Sequence, residues 1–384
     1  MIEIVEKQNC CGCHACANVC TKNCISMKSD NEGFLYPITD KNVCINCNLC
    51  EKVCPIINVP KREDEVILAY ACKNKDKKVR EASSSGGLFT LLCEEVISNK
   101  GAVFGVAFDM GLSVRHVCAE TSEECEQFRG SKYVQSKIGQ TYKEAEKFLQ
   151  DGKMVLFSGT PCQISGLDSF LRKKYDHLIL VDIACHGVPS PKVFRKYLNS
   201  LRLRRNSAVK KILFRDKSAS WSKYNLKVSF ENGRELKELA CDNIYMKGFL
   251  NDIYLRPSCY DCKFKKPLTS ADITLADYWG VKDIHPGFDD DKGVSLVLGN
   301  TKKGKSMLDK VSKNMEIIGT DLDYAIQNNP YIVTHVKYNK KRDKFFEMIE
   351  NEELEYSILK CITPTFIERV KRKVRATLNK LLTL

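Results

Sequence analysis

The chemistry of this chain is written in its cysteines, 20 among 384 residues. Two runs share one spacing: Cys10-x-x-Cys13-x-x-Cys16-x-x-x-Cys20, and Cys44-x-x-Cys47-x-x-Cys50-x-x-x-Cys54 followed by Pro55. Three thiolates at intervals of three wrap one corner of a cubane iron–sulfur cluster, while the fourth projects from a short helix toward the neighbouring cluster. The ligand sets therefore cross: Cys10, Cys13, Cys16 and Cys54 for one [4Fe-4S] cluster, and Cys44, Cys47, Cys50 and Cys20 for the other. A pair of zinc knuckles is the competing chemistry, but zinc draws four ligands from C-x-x-C pairs and would leave half of each triplet idle. Thr21 stands where proline often follows the fourth cysteine, and Cys11 and Cys24 are additional thiols; no ligand is lost.

The spacing is that of a bacterial two-cluster ferredoxin. Such a domain of about sixty residues is held by its clusters more than by a core. The remaining length suffices for further domains with a sizeable core. Hydrophobic residues at 43% and charged residues at 28% are ordinary globular values, and no apolar run reaches the ~20 residues of a membrane span. Met1 to Lys7 lacks the apolar stretch of a secretory signal, so the expected compartment is the cytoplasm, where thiols stay reduced. The formal charge of +13 invites a nucleic-acid reading, but clusters of about −2 each would lower it, and no groove-reading motif is present. No nucleic-acid partner is expected.

Elements that position chemistry follow a charged linker, Pro60-Lys61-Arg62-Glu63-Asp64-Glu65. Val66 to Ala71 reads as a strand, Leu88, Leu92 and Val96 as a helix face, and Ala102 to Phe108 as a strand. The clearest unit is βαβ. Val155-Leu156-Phe157 forms a strand, Ile164, Leu167 and Leu171 line a helix, and Leu178 to Ala184 forms the second strand. Thr160-Pro161-Cys162-Gln163 is a capping box with proline at the first helical position, which puts Cys162 in the first turn. Cys185-His186-Gly187 follows the second strand and leads to Ser190-Pro191 and a helix bearing Phe194, Tyr197 and Leu201. Both cysteines fall at carboxyl ends of adjacent strands, where open α/β sheets bind ligands. Leu226, Val228 and Phe230 alternate up to Asn232-Gly233, a hairpin signal. The fold class expected is mixed α/β and α+β: an N-terminal bacterial ferredoxin-like domain, then a flavin-binding α/β body with an antiparallel β portion.

In order along the chain come the two cysteine runs, Ser83-Ser84-Ser85-Gly86-Gly87, Gly130-Ser131-Lys132-Tyr133, Gly159-Thr160-Pro161-Cys162-Gln163, Cys185-His186-Gly187, Cys259-Tyr260-Asp261-Cys262, and Ala271-Asp272 through Asp277-Tyr278-Trp279-Gly280. The series resembles the beta-subunit family of coenzyme F420 hydrogenases and dehydrogenases, in a version with a fused ferredoxin domain, over roughly residues 1 to 330. The resemblance implies a flavoprotein passing electrons between FAD and iron–sulfur clusters. It also implies a third [4Fe-4S] cluster on Cys162, Cys185, Cys259 and Cys262; a structural zinc site, or for Cys185 a plain buried thiol, is the competing reading. FAD contacts are implied at Ser84, Ser85, Gly86, Gly87, Lys132, Tyr133, Gly159, Thr160, Asp277 and Trp279.

The residues agree with these roles. Ser84 to Gly87 precede a helix, whose bare backbone donors suit a pyrophosphate, although an ordinary helix cap has the same composition. Lys132 offers a cation to phosphate or flavin; a solvated lysine is the plain alternative. Asp277 and Trp279 end a strand and are placed in the flavin pocket, against the plainer reading of a loop aspartate and a core tryptophan. His186 is the one candidate catalytic acid, against a structural histidine bonding a backbone carbonyl. The run Asp289-Asp290-Asp291 lacks calcium-loop spacing and reads as a solvated loop. Cys11, Cys24, Cys72, Cys93, Cys118, Cys125, Cys241 and Cys361 follow no ligand spacing.

The expected organisation is residues 1–60 as the two-cluster domain, 61–145 and 146–335 as the N- and C-terminal portions of the family body, and 336–384 as a helical basic tail. In that tail Phe366, Val370, Val374, Leu378 and Leu381 line one helix face among basic residues, suiting either a membrane surface or docking on the chain itself. The expected activity is oxidoreduction of a small-molecule substrate with ferredoxin or a deazaflavin as redox partner. The alternative is a non-catalytic subunit wiring a partner enzyme. Radical chemistry of the S-adenosylmethionine type lacks its C-x-x-x-C-x-x-C run, and no G-x-G-x-x-G supports a nicotinamide site.

Overall fold

The computed structural model describes residues 1–60, 66–265 and 270–364. In the N-terminal module each cysteine run ends in a short helix, Ala15–Val19 carrying Cys16 and Leu49–Lys52 carrying Cys50. Between them lies an antiparallel hairpin of β1 (Ile25–Ser29) and β2 (Leu35–Thr39). Its buried non-cysteine apolar side chains of any size are few: Ile2, Val19, Ile25, Phe34, Tyr36 and Val53. So thin a core does not hold sixty residues by itself.

The body is built on a sheet of eight strands in the order β13-β3-β12-β11-β7-β6-β4-β5. These are β3 (Leu68–Asn74), β4 (Ala102–Phe108), β5 (Val114–Ala119), β6 (Val155–Gly159), β7 (Leu178–Ile183), β11 (Ile273–Asp277), β12 (Ser295–Gly299) and β13 (Met315–Thr320). The four central strands β11, β7, β6 and β4 run parallel, and the flanking strands pair antiparallel. Val155, Leu156 and Phe157 are fully buried, as expected of a parallel strand covered on both faces. The intervening helix Pro161–Leu171 opens with the expected capping box of Thr160 and Gln163. Ser190 caps the next helix, Pro191–Arg205, accepting from the N–H groups of Lys192 and Val193.

A second, antiparallel layer of β8 (Val209–Asp216), β9 (Asn225–Phe230) and β10 (Glu235–Leu239) follows. Asn232-Gly233 makes the β9–β10 turn, with Gly233 at φ +79°. The alternating pattern reveals β9 and β10 but not β8, where Lys210-Lys211 stand at exposed positions before Ile212 and Phe214 turn inward. Helices Arg342–Asn351 and Leu354–Ile362 pack Phe345, Ile349 and Ile358 into the same apolar core as this layer. The strand expected from Val66 begins at Leu68, and the one expected to reach Ala184 stops at Ile183. Such end positions depend on where ladder bonds cease. Strands from the spans 61–145 and 146–335 share the one large sheet.

The module is seated on the body. Glu32 accepts from both terminal nitrogens of Arg342, whose Nε donates to the Leu255 carbonyl. Lys192 Nζ donates to the Asn31 carbonyl at 2.7 Å, and Asn18 Nδ2 to that of Gly139 at 2.9 Å. A Cβ on Gly166 would meet the Cys13 Cβ at 2.7 Å, so the bare glycine lets the first cysteine run lie against the helix that carries Cys162. The acidic run is not simply a solvated loop: Asp290 pairs with buried Arg80, and Asp291 Oδ1 accepts from the Ser222 N–H at 2.9 Å. Residues 61–65 of the linker and the tail helix expected from Phe366 onward lie outside the described residues. Among the described residues no helix is long and apolar enough to cross a membrane.

Candidate functional site

The cysteines gather around three cavities. Cys10, Cys13, Cys16 and Cys54 line one, which we call the middle cavity. Cys20, Cys44, Cys47 and Cys50 line the outer one, together with Cys24. These are the crossed sets that the spacing implied, with one difference: the fourth cysteine does not project from a helix but follows the short helix that carries the third, Cys20 directly after Val19 and Cys54 beyond Lys52, and each joins the other run's triplet. Cys162, Cys185, Cys259 and Cys262 line the third, inner cavity. Cys162 comes from the first turn after β6 and Cys185 from the segment after β7. Cys259 lies in the 3-10 turn Pro257–Asp261, and Cys262 is the residue that ends it.

Cys11 and Ile56 line both the middle and the inner cavity, so the two share a wall. The Cys11 thiol bonds to those of Cys13 and Cys162 and is held protonated well past its ordinary range, chiefly by the bond to Cys13. Burial pushes the Cys185 thiol up to about 12, and Cys259 and Cys262 are raised by the same cause. Buried neutral thiols exchange protons for a cation when metal binds. Backbone and side-chain donors already face the sulfurs: the Val188 N–H stands 3.4 Å from Cys259 Sγ, and Thr160 Oγ1 lies 3.2 Å from Cys162 Sγ. A tetrahedral zinc with Zn–S of about 2.3 Å would pull four thiolates to within about 4 Å of one another. Among the described residues no three His, Cys, Asp or Glu side chains converge closely enough to hold one metal ion.

The carboxyl edge of the parallel strands carries the rest of the site, as the doubly wound geometry requires. Ser84 Oγ accepts from the Ser131 N–H at 2.7 Å, which joins the Ser-Gly stretch to the Gly-Ser-Lys-Tyr motif. Ser85 and Gly86 are turned to the sheet instead: Ser85 Oγ donates to the Val294 carbonyl and the Gly86 N–H to Ser295 Oγ. Gly87, at φ +82°, caps the helix Leu88–Ser98. Lys132 is not a surface lysine. Its ammonium donates to the carbonyls of Phe128, Arg129 and Gly130, and burial drives its pKa down to about 7. The Tyr133 ring packs on Phe249 and Phe214. Thr160 lies against Cys162, whereas Gly159 ends β6 with Gln163 and His116 beside it, and neither lines the inner cavity. His186 also lines that cavity and bonds Asp252 Oδ1 at 2.6 Å, a carboxylate in place of the backbone carbonyl expected of a structural histidine.

Asp277 and Trp279 bring partners that sequence reasoning missed. Asp277 accepts from Trp221 Nε1 at 3.1 Å and pairs with Arg215, while Trp221 stacks on Trp279 at 4.8 Å. Arg215 lies 4.2 Å from the centre of the Tyr224 ring; its Nε and Nη2 are buried without a hydrogen bond, close to the Tyr133 phenol. Lys217, also from the strand-β8 side, donates to the carbonyls of Ser85 and Lys292 and is driven down to about 7, first by burial and then by Arg80 and Arg215. Two half-buried lysines bonded to carbonyls, with Arg80 and with Arg215, whose donors are partly idle, give the region more cations than its carboxylates Asp277 and Asp290 balance. Such a region suits an anionic group that also carries a planar ring.

Two family models match the chain, the N-terminal and C-terminal parts of the coenzyme F420 hydrogenase/dehydrogenase beta subunit, the first over residues 69–142 and the second over residues 152–323. Together the matches span well over half of the chain, which belongs to this oxidoreductase beta-subunit family. Among solved structures, a chain of the F420-reducing [NiFe] hydrogenase complex from Methanosarcina barkeri is similar at 19% identity and a TM-score of 0.49, covering 77% of this chain and 98% of that one. A search of curated proteins finds no match.

Proposed function

We propose that this chain is an iron–sulfur flavoprotein that moves electrons between three [4Fe-4S] clusters and FAD, reducing a small metabolite with ferredoxin or a deazaflavin as redox partner. The single observation that carries the reading is the convergence of twelve cysteines, in the three sets expected, on three cavities of which two share a wall. When bound, clusters and flavin supply the one-electron and two-electron chemistry. The chain's own residues hold and insulate. Cys47 is exposed and the outer cavity accessible to a partner, whereas Cys16 and Cys13 are buried. Lys132, Lys217 and Arg215 offer positive charge to an anionic cofactor, and Trp279 and Tyr133 offer ring surface. His186, oriented by Asp252, is positioned to hold a proton beside the inner cavity.

A second reading, a wiring subunit that turns over nothing alone, draws support from the family's description as a beta subunit of larger enzymes. Chain purified without oxygen should carry about twelve iron and twelve acid-labile sulfide, and acid should release about one FAD per chain. Replacing Cys259 and Cys262 by serine should remove about four iron and leave the other two clusters. Unchanged iron in that variant refutes the inner site. Anaerobic stopped-flow with reduced ferredoxin, deazaflavin or NADH then separates the readings: flavin bleaching by one donor supports an enzyme, and inertness toward all three supports the wiring subunit.

A further inference from the structure

Arg256 has no solvent exposure at all. An arginine remains charged in proteins, and a buried charge costs several kcal/mol unless it is compensated. Its hydrogen bonds satisfy the donors without supplying an anion: Nε to the Cys10 carbonyl at 2.7 Å, Nη1 to Gln135 Oε1 at 3.0 Å, and Nη2 to the Leu35 carbonyl at 2.9 Å. Nη2 also stands 3.5 Å from Cys10 Sγ, and the guanidinium lies 4.3 Å from the centre of the Tyr36 ring. None of these partners is a carboxylate. The ionisable groups that act most on its charge are the thiols Cys10, Cys11 and Cys259 and the phenol of Tyr36, and Cys162 and His14 also feel it. Arg256 lines the inner cavity and touches a thiol of the middle one. Space is reserved for it: at Gly12, with φ +70°, a Cβ would stand 2.8 Å from Nη1.

On the proposed iron–sulfur reading, we infer that Arg256 is the buried countercharge shared by the middle and inner clusters, and that it favours one-electron reduction of both over reduction of the outer cluster. Each reduction adds one negative charge, and a fixed cation in a poorly polarisable interior stabilises the reduced form. Arg256 lines the inner cavity and bonds a middle-cavity thiol but is not among the residues lining the outer cavity, so the outer cluster feels the charge least. Electrons entering at the exposed outer cluster then run inward, toward the carboxyl edge of the sheet. Arg256 is a positioning residue: it touches ligand residues and not the substrate.

The test is potentiometric titration of the intact, cluster-loaded chain, followed by electron paramagnetic resonance, with the outer cluster assigned by the signal lost in Cys47→Ser. In Arg256→Gln the reduction equilibrium constants of the middle and inner clusters should fall about tenfold, which is about 59 mV for one electron, and that of the outer cluster should stay put. Gln135→Glu is the gentler variant and decides the matter where Arg256→Gln fails to assemble. It keeps the arginine and sets a carboxylate where Gln135 Oε1 now accepts from Nη1, and a carboxylate held against a guanidinium stays ionised. It should lower the same two constants. Arg256→Lys, retaining the charge, should restore most of the shift. Equal shifts in all three clusters, or unmoved middle and inner clusters in Gln135→Glu, overturn the inference. Eight iron or fewer in the native chain overturns the cluster reading itself.

Discussion

The N-terminal module and the carboxyl edge of the large sheet both gather the side chains on which the proposed function rests, yet they are assembled in opposite ways. In the module, ligands come from two short runs, and the fold around them is two brief helices and one hairpin. At the sheet edge, Lys132, Cys162, Cys185, Arg215, Cys259 and Asp277 come from separate elements that only the sheet and the β8–β10 layer bring together. A site written in consecutive residues needs little core but depends on its cofactor. A site made by convergence needs a large core and outlasts cofactor loss.

The largest effect expected from this contrast follows iron removal. Anaerobic chelation should unfold residues 1–60 and leave the body folded, since buried thiols are a poor substitute for metal–ligand bonds. Amide hydrogen exchange reads the result: amides of the module lose protection by several orders of magnitude while those of Val155–Gly159 keep theirs. Simultaneous loss in both segments would mean that the clusters hold the whole chain.

A smaller effect is expected at the seam. Arg342 and Glu32 are almost completely buried, with side-chain exposures of 4% and 12%. Removing one partner of such a pair strands the other charge, at a cost of about 3–5 kcal/mol. Arg342→Ala should therefore lower the stability of the loaded protein to urea by about that much, and Glu32→Gln by less, because the amide still accepts a hydrogen bond. A change under about 0.5 kcal/mol for Arg342→Ala would remove this pair from the docking.

The smallest effect concerns pH at the convergent site. Burial holds the folded pKa of Lys132 at about 7, against an ordinary value of 10.5. Between those values the unfolded chain binds more protons than the folded one, so this lysine makes flavin-free protein more stable as pH rises. Comparing Lys132→Met with the native sequence in urea, the native advantage should grow by up to about 2 kcal/mol from about pH 7 to about pH 9. An advantage that shrinks over this range would mean that the ammonium is stabilised in the fold by an anion.

The cysteine spacing alone implied which four thiols share each of the middle and outer cavities, because a fourth thiol placed beyond the short helix that carries the third is led away from its own triplet and toward the other one. The sequence likewise determined the β6–helix–β7 unit, since Thr160, Pro161 and Gln163 specify a helix start locally. Local signals could not place Arg215 or Lys217: in Leu-Phe-Arg-Asp-Lys they are indistinguishable from surface charges, and their burial is set by a layer whose register is fixed at long range. Nor could they give Cys11 a role. Only the seating of the module on the helix Pro161–Leu171 puts that thiol in the wall between two cavities. The same holds for Arg256, which the sequence shows as one basic residue before a proline. Tertiary packing makes it a charge shut off from solvent with no carboxylate among its hydrogen-bond partners, because elements far apart in the chain close around it from every side.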